Sequence, residues 1–177
     1  LAVSAGVVAL AASPAFAQPE LEAITTAQET ADHAIQSGNL LWVVIGAVLV
    51  IFMQAGFALV ETGFCRAKHA AHVVSTNFAI FGLGFVGFFL VGYAFAFGGA
   101  SFGAYIPGYD APLGDALIGS DNWTFLWSGG FALSGDKITP GVLGMFLYMV
   151  AFMDTVATIP TGSMAERWKW NSFVVWG

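Results

Sequence analysis

Three polar side chains lie inside long apolar stretches of the chain, which makes them the first candidates for chemistry. Gln54 and Glu61 share one stretch, and Asp154 lies in another. A carboxylate or amide is costly to place in hydrocarbon, so such side chains face a protein interior or a water-filled cavity, and many mark the pathways of cations or protons. The first question is therefore whether these residues bind something or hold helices together.

Gln54 and Glu61 are seven residues apart, which places them two turns apart on one face of a helix. Glu61 also comes just before Arg66 and Lys68, so the simpler interpretation is an ion pair at the end of this helix. The alternative is that Gln54 and Glu61 line a vestibule at the inner end of a pore. The sequence leaves both interpretations open.

Phe152 and Asp154 are two residues apart, so they lie on nearly opposite sides of a helix. If Phe152 faces a pore, Asp154 faces other helices. Its side of the helix carries small and hydroxyl residues, which favour close helix packing. These are Ala151, Ala157, Thr158 and Thr161. The pattern favours Asp154 as a polar anchor between helices, with direct binding of a cation as the alternative.

Composition places the chain among integral membrane proteins. Of its 177 residues, 58% are hydrophobic and 9% are charged, and the mean hydropathy is +0.78. The net charge of -6 gives no basic surface for nucleic acid. The sequence contains no glycine-rich nucleotide loop, paired metal-ligand spacing or nucleophile motif, so we predict no enzyme activity, cofactor or metal site.

The apolar stretches predict three complete membrane-spanning helices, at roughly residues 40–60, 73–97 and 141–161, and the start of a fourth near the end of the chain. A rise of ~1.5 Å per residue carries each of them across a hydrocarbon core of ~30 Å. Three helices could not shield a polar pathway from lipid. We therefore expect this chain to be the N-terminal part of a longer protein.

Basic residues predict how these helices are oriented. The turns after the first and third helices hold all but one of the five Lys and Arg residues, namely Arg66, Lys68, Arg167 and Lys169. The positive-inside rule makes these turns cytoplasmic and the N-terminus extracytoplasmic. Residues 98–140 then form a long external loop, and loops of this length are either functional or packed as a cap.

The N-terminal residues fit a processed leader. Residues 1–17 have a short apolar stretch that closes on Ala15-Phe16-Ala17, the small-x-small pattern of a signal-peptidase site. We predict a signal peptide that lacks its start, an extracytoplasmic lead-in at residues 18–39, and an incomplete membrane domain at residues 40–177.

Three ordered motifs carry a family resemblance. They read AGFALVETGFCRAKHA after the first apolar stretch, FLVGYAFAFG at the end of the second, and FMDTVATIPTGSMAERWKW through the third. From about Gly38 onward the chain resembles the ammonium transporter and Rhesus superfamily, specifically its bacterial ammonium transporters.

The resemblance implies an all-α membrane bundle of eleven helices, assembled as a homotrimer in the inner (plasma) membrane, with one pore in each subunit. It implies recruitment of ammonium outside and conduction of ammonia or ammonium inward. Aligned on the Ala-Glu-Arg triplet, the outer phenyl gate of the family falls on Phe152. The pore histidines and recruiting residues of the family would fall beyond Gly177.

The partners that the resemblance implies are ammonium or ammonia, the lipid bilayer, other copies of the chain, and a cytoplasmic nitrogen-regulatory signal protein. The alternative function is that of an ammonium sensor, in which the same membrane module drives a cytoplasmic signalling domain.

Overall fold

The computed structural model describes residues 17–120 and 123–176. The chain divides into two compact units, one that ends at Gly38 and one that begins at Asn39. Residues 20–38 are helical and exposed. The predicted signal peptide, residues 1–17, lies outside the described residues except for Ala17.

Long helices dominate the described chain. The α-helices are α1 (Ala17–Phe64), α2 (Ala70–Gly87), α3 (Tyr93–Phe97), α4 (Pro140–Met164) and α5 (Trp170–Trp176). A π-helical turn at Phe88–Gly92 connects α2 to α3. Short 3-10 helices lie at Ala67–His69 and Phe131–Leu133. Within the described residues, three helical stretches are long and apolar enough to cross a membrane. This confirms the predicted class of helical membrane protein.

The start of α4 shows how local sequence sets a helix boundary. Thr139 is the N-cap, and its hydroxyl accepts a hydrogen bond from the Val142 N–H at 3.3 Å. Pro140 follows at the first helical position, where its missing N–H costs no hydrogen bond. These residues start the helix that carries Phe152 and Asp154.

The loop between α3 and α4 contains a β-hairpin that the sequence analysis did not predict. Strand β1, Ala116–Ser120, pairs antiparallel with β2, Trp123–Trp127. The register of this pair shifts around Ile118, and all five residues of β1 are exposed. The pattern of side chains is therefore too irregular to indicate a strand from sequence alone. Over residues 17–120 and 123–176 the fold is mostly helical, with one small β-hairpin in this loop.

The same loop packs onto the helices as a cap. Ile106, Tyr109 and Leu113 are buried in one core with residues of α3 and α4. The Tyr109 hydroxyl donates to the Phe97 carbonyl at 2.8 Å, and the Tyr93 hydroxyl lies 3.3 Å from the Val142 carbonyl. Burial raises the pKa of the Tyr109 hydroxyl above its ordinary value. The loop thus closes one end of the helical bundle.

Candidate functional site

One face of α1 is buried against the other long helices. It carries Ala47, Gln54, Ala58 and Glu61, and their spacing follows a single helical stripe. Gln54 is 7% exposed and Glu61 is 9% exposed. The expectation that these two polar residues share a face therefore agrees with the structure.

Gln54 joins three helices through its side-chain amide. Its Nε2 donates to the Asn77 carbonyl of α2 at 2.7 Å, and its Oε1 accepts from the Thr158 hydroxyl of α4 at 3.0 Å. One N–H and the carbonyl oxygen of the buried amide are thus used, which lowers the cost of burying it.

Glu61 makes the second set of bonds in this buried polar layer, which comprises Gln54, Glu61, Asn77, Thr158 and Thr161. The Asn77 Nδ2 donates to its Oε2 at 2.7 Å, and the Thr161 Oγ1 lies 2.8 and 2.7 Å from its two oxygens. The two partners come from α2 and α4, so Glu61 also binds across the helix interfaces.

The predicted ion pair of Glu61 with Arg66 or Lys68 is wrong. Among the described residues Glu61 forms no salt bridge, and Arg66 pairs with Glu166 instead. The reason is geometric: Glu61 lies on the buried stripe of α1, whereas Arg66 lies beyond the last residue of that helix, Phe64.

Glycines let α1 and α4 approach closely around the polar layer. A Cβ at Gly162 would lie 3.2 Å from the Glu61 Oε1, and a Cβ at Gly46 would lie 3.0 Å from the Tyr148 ring. Distances this short leave little room for a side chain, so glycine is the residue that fits here without a shift of its neighbour.

Asp154 and Phe152 lie on different sides of α4, as their spacing predicts. Asp154 is 1% exposed, and Ala151 and Thr158 on the same side of the helix are also buried. Phe152, in contrast, is 40% exposed. The Phe152 ring lies 5.0 Å from the Tyr148 ring between centroids. Within the described part of the chain, the Asp154 Oδ1 has no hydrogen-bond partner.

The two basic turns that stood out in the sequence are joined to each other. Glu166 accepts from the Arg66 backbone N–H at 3.1 Å and from the Arg66 Nε at 2.6 Å, and it also pairs with the Arg66 Nη2. Glu166 has a φ of 65°, a left-handed conformation that is unusual for a residue other than glycine. The hydrogen bond from Arg66 lowers the pKa of Glu166 to about 2.

A cleft of about 670 Å³ lies beside this joint. Ionised residues line it from both turns, and Glu61 reaches it from the buried layer. The lining residues are Glu61, Phe64, Cys65, Arg66, Gly162, Ser163, Ala165, Glu166 and Arg167. Across the described residues, no three His, Cys, Asp or Glu side chains gather closely enough to hold a metal ion.

Two members of these groups, Asn77 and Glu166, are not among the residues singled out from the sequence. Asn77 is an amide inside an apolar stretch, so the rule that singled out Gln54 would have found it. Glu166 is an acidic residue within a basic turn, and its charge is opposite to that of the other turn. The type of each residue thus gave a signal in the sequence. Their partners could not be predicted, because Asn77 bonds to Glu61 16 positions away and Glu166 bonds to Arg66 100 positions away.

Comparison with known proteins places this architecture in a family. The model of the Ammonium Transporter Family matches residues 41–177. The chain belongs to the ammonium transporter family. Together with the three long apolar helices, membership makes it a multi-pass membrane protein of the ammonium transporter type, as its motifs indicated.

Individual family members agree with this assignment. An ammonium transporter of Archaeoglobus fulgidus is 33% identical over 138 residues, which is 78% of this chain and 25% of that protein. An ammonium transporter of Haloferax mediterranei is 31% identical over 79% of this chain and 23% of its own length. The chain thus spans about a quarter of these relatives. No solved structure matches it significantly.

The Arg66–Glu166 joint between the turns should make the stability of this protein depend on pH in the acidic range. The pKa of Glu166 is lowered from 4.5 to about 2 in the folded state. Its contribution to stability is therefore complete above pH 4.5 and is lost as the pH falls toward 2. We expect Glu166→Gln to flatten this part of the pH dependence, as measured by thermal unfolding in detergent at a series of pH values.

Asp136→Asn is the control, because Asp136 is an exposed acid in the loop between α3 and α4. Asp136→Asn should leave the slope of the melting temperature against pH, between pH 4.5 and 2, the same as in the parent protein. Equal slopes for Glu166→Gln and the parent protein would show that the joint contributes nothing.

Proposed function

We propose that this protein is an ammonium transporter of the plasma membrane, which recruits ammonium outside and conducts ammonia or ammonium inward. The observation that carries the proposal is the family match over residues 41–177. The names of the relatives support the substrate, since the matched proteins of Archaeoglobus and Haloferax are ammonium transporters. The three long apolar helices provide the membrane part.

Phe152 is the proposed outer gate of the pathway. A phenyl ring can exclude water, and its π face can offset part of the lost hydration of a cation by roughly 0.5–2 kcal/mol. The ring is 40% exposed and lies against Tyr148 rather than in the buried layer. Phe152 therefore lies on a side of α4 that the described helices leave partly uncovered, where its ring could line a pathway.

Gln54, Glu61 and Asp154 are proposed to hold the helices in register around that pathway. Gln54 and Glu61 do so through bonds to α2 and α4. Asp154 would act as a polar anchor because it lies with small and hydroxyl residues on the buried side of α4.

The proposed assembly is a homotrimer whose subunits and lipid cover the apolar outer surface. Large apolar side chains are exposed along the long helices, for example Phe52, Leu59 and Val156. Within a bilayer, lipid or neighbouring helices would contact such residues. A cytoplasmic nitrogen-regulatory signal protein is the further partner that we propose for the side of the basic turns.

If Phe152 gates the pathway, Phe152→Ala in the full-length protein should leave expression and trimer stability nearly unchanged. It should alter the rate of ammonium flux or the discrimination between ammonium and potassium. If Phe152 only packs, its removal should cost roughly 3–5 kcal/mol and weaken the trimer. Trimer melting and flux into proteoliposomes are measured on one preparation.

Phe52→Ala is the matched control, since Phe52 is 77% exposed on α1. It should leave selectivity unchanged. A destabilised trimer with normal flux per surviving pore in Phe152→Ala would reject the gate.

The anchor role of Asp154 is tested by changing its charge and its polarity separately. Asp154→Asn removes the charge but keeps the shape and a group that can form hydrogen bonds, whereas Asp154→Leu removes both the charge and that group. We expect the Asn variant to assemble better than the Leu variant in gel filtration. If both variants assemble normally and both lose transport, Asp154 binds the substrate instead.

The proposed orientation is tested by labelling single cysteines in intact cells. In a Cys65→Ser background, Ser120→Cys in the hairpin should react with an impermeant thiol reagent, because the loop is proposed to be extracytoplasmic. Ser172→Cys in α5 should react only after the cells are permeabilised. The reverse pattern would overturn the topology.

A further inference from the structure

Glu61 differs from the other charged residues of the cleft because no cationic side chain among the described residues pairs with it. Arg66 is held by Glu166, and Arg167 is exposed to solvent, which screens its charge. The residue Glu61 is 9% exposed, yet it lines the cleft of about 670 Å³. Its charge is therefore nearly buried, without an ionic partner, and accessible from one side.

The hydrogen bonds to Glu61 do not fill its acceptor capacity. An ionised carboxylate has about four lone-pair sites. Asn77 contributes one N–H. The Thr161 hydroxyl has a single proton, and the Thr158 carbonyl, 2.6 Å away, competes for it. Among the described residues, at most two neutral donors therefore serve Glu61, and neither of them neutralises its charge.

A second oxygen next to Glu61 also lacks a donor. Asn77 is fully buried, and its Oδ1 has no hydrogen-bond partner among the described residues. Its Nδ2 is bonded to Glu61, so the free oxygen belongs to the same amide group. Gly162 brings the α4 backbone close to the carboxylate, because a Cβ at this position would lie 3.2 Å from the Glu61 Oε1. The site thus offers unfilled acceptors and one net negative charge, and Glu61 borders the cleft.

From this arrangement we infer that Glu61, with Asn77 and Thr161, forms an inner binding station for a small monovalent cation with N–H donors, such as ammonium or methylammonium. The station holds the cation at the end of the helices where the basic turns lie, before its release into the cleft. A single carboxylate with neutral oxygens suits a monovalent ion, whereas divalent cations are usually held by more ligands and more charge.

This inference rests on the proposed function for its place in the pathway, but its binding step can be measured without transport. The probe is ammonium chloride, exchanged for sodium chloride over the purified full-length protein while infrared difference spectra are recorded. We expect a carboxylate-stretch change in the parent protein that Glu61→Gln abolishes. Glu61→Asp, which keeps the charge on a shorter side chain, should retain the change at a weaker affinity.

Glu166→Gln is the matched control, because it also removes one acidic group from the cleft lining, but one that Arg66 already pairs with. It should keep the ammonium-dependent band. If Glu61→Gln keeps the band, or if both Gln variants lose it, Glu61 is not a specific station and the inference is wrong.

Sided flux separates the inference from the proposed function. In proteoliposomes, Glu61→Gln should raise the ammonium concentration for half-maximal flux from the cleft side by roughly ten-fold or more, since a hydrogen bond to a charged group is lost. The value from the opposite side should not change. Equal values for parent and variant on both sides overturn the station, whereas an absence of flux in the parent protein rejects transport and leaves the infrared result to decide on Glu61.

Discussion

The hydrogen bonds that Gln54 and Glu61 make to α2 and α4 are the interaction on which the rest of the structure depends. Lipid offers no hydrophobic driving force between helices, so packing and polar contacts must set their register. Asn77 serves both residues, through its carbonyl to Gln54 and its amide to Glu61. Any axial shift of one helix would break several of these bonds together, which makes the register cooperative.

The buried layer and the joint at the turns act on the same helices at different depths. In the layer, the buried groups are desolvated and interact strongly, and among the described residues the Asn77 Oδ1 has no hydrogen-bond partner. At the joint, the Arg66 side chain is 67% exposed and the Glu166 side chain is 18% exposed, so solvent and salt weaken the pair. The layer therefore sets the packing, and the joint positions the cleft that opens beside it.

The sequence predicted the helical class and the shared face of Gln54 and Glu61, because hydropathy and periodicity are properties of a single segment. It did not predict the partners of Glu61. Arg66 is close in sequence, but the bonds go to Asn77 and Thr161, whose distance depends on how three helices pack. The hairpin was missed for a related reason, since an irregular register leaves no alternating pattern to detect.

The separation of Glu61 and Thr161 along the chain has a consequence for biosynthesis. The two residues are 100 positions apart, and at about 5–20 residues per second the ribosome needs roughly 5–20 s to travel between them. During that interval Asn77, 16 positions after Glu61, is the only one of its two partners already made. Until α4 is made, α1 would therefore carry a carboxylate that lacks one of its hydrogen-bond partners. The helix would then stay where water or other proteins can reach this carboxylate rather than diffuse into lipid.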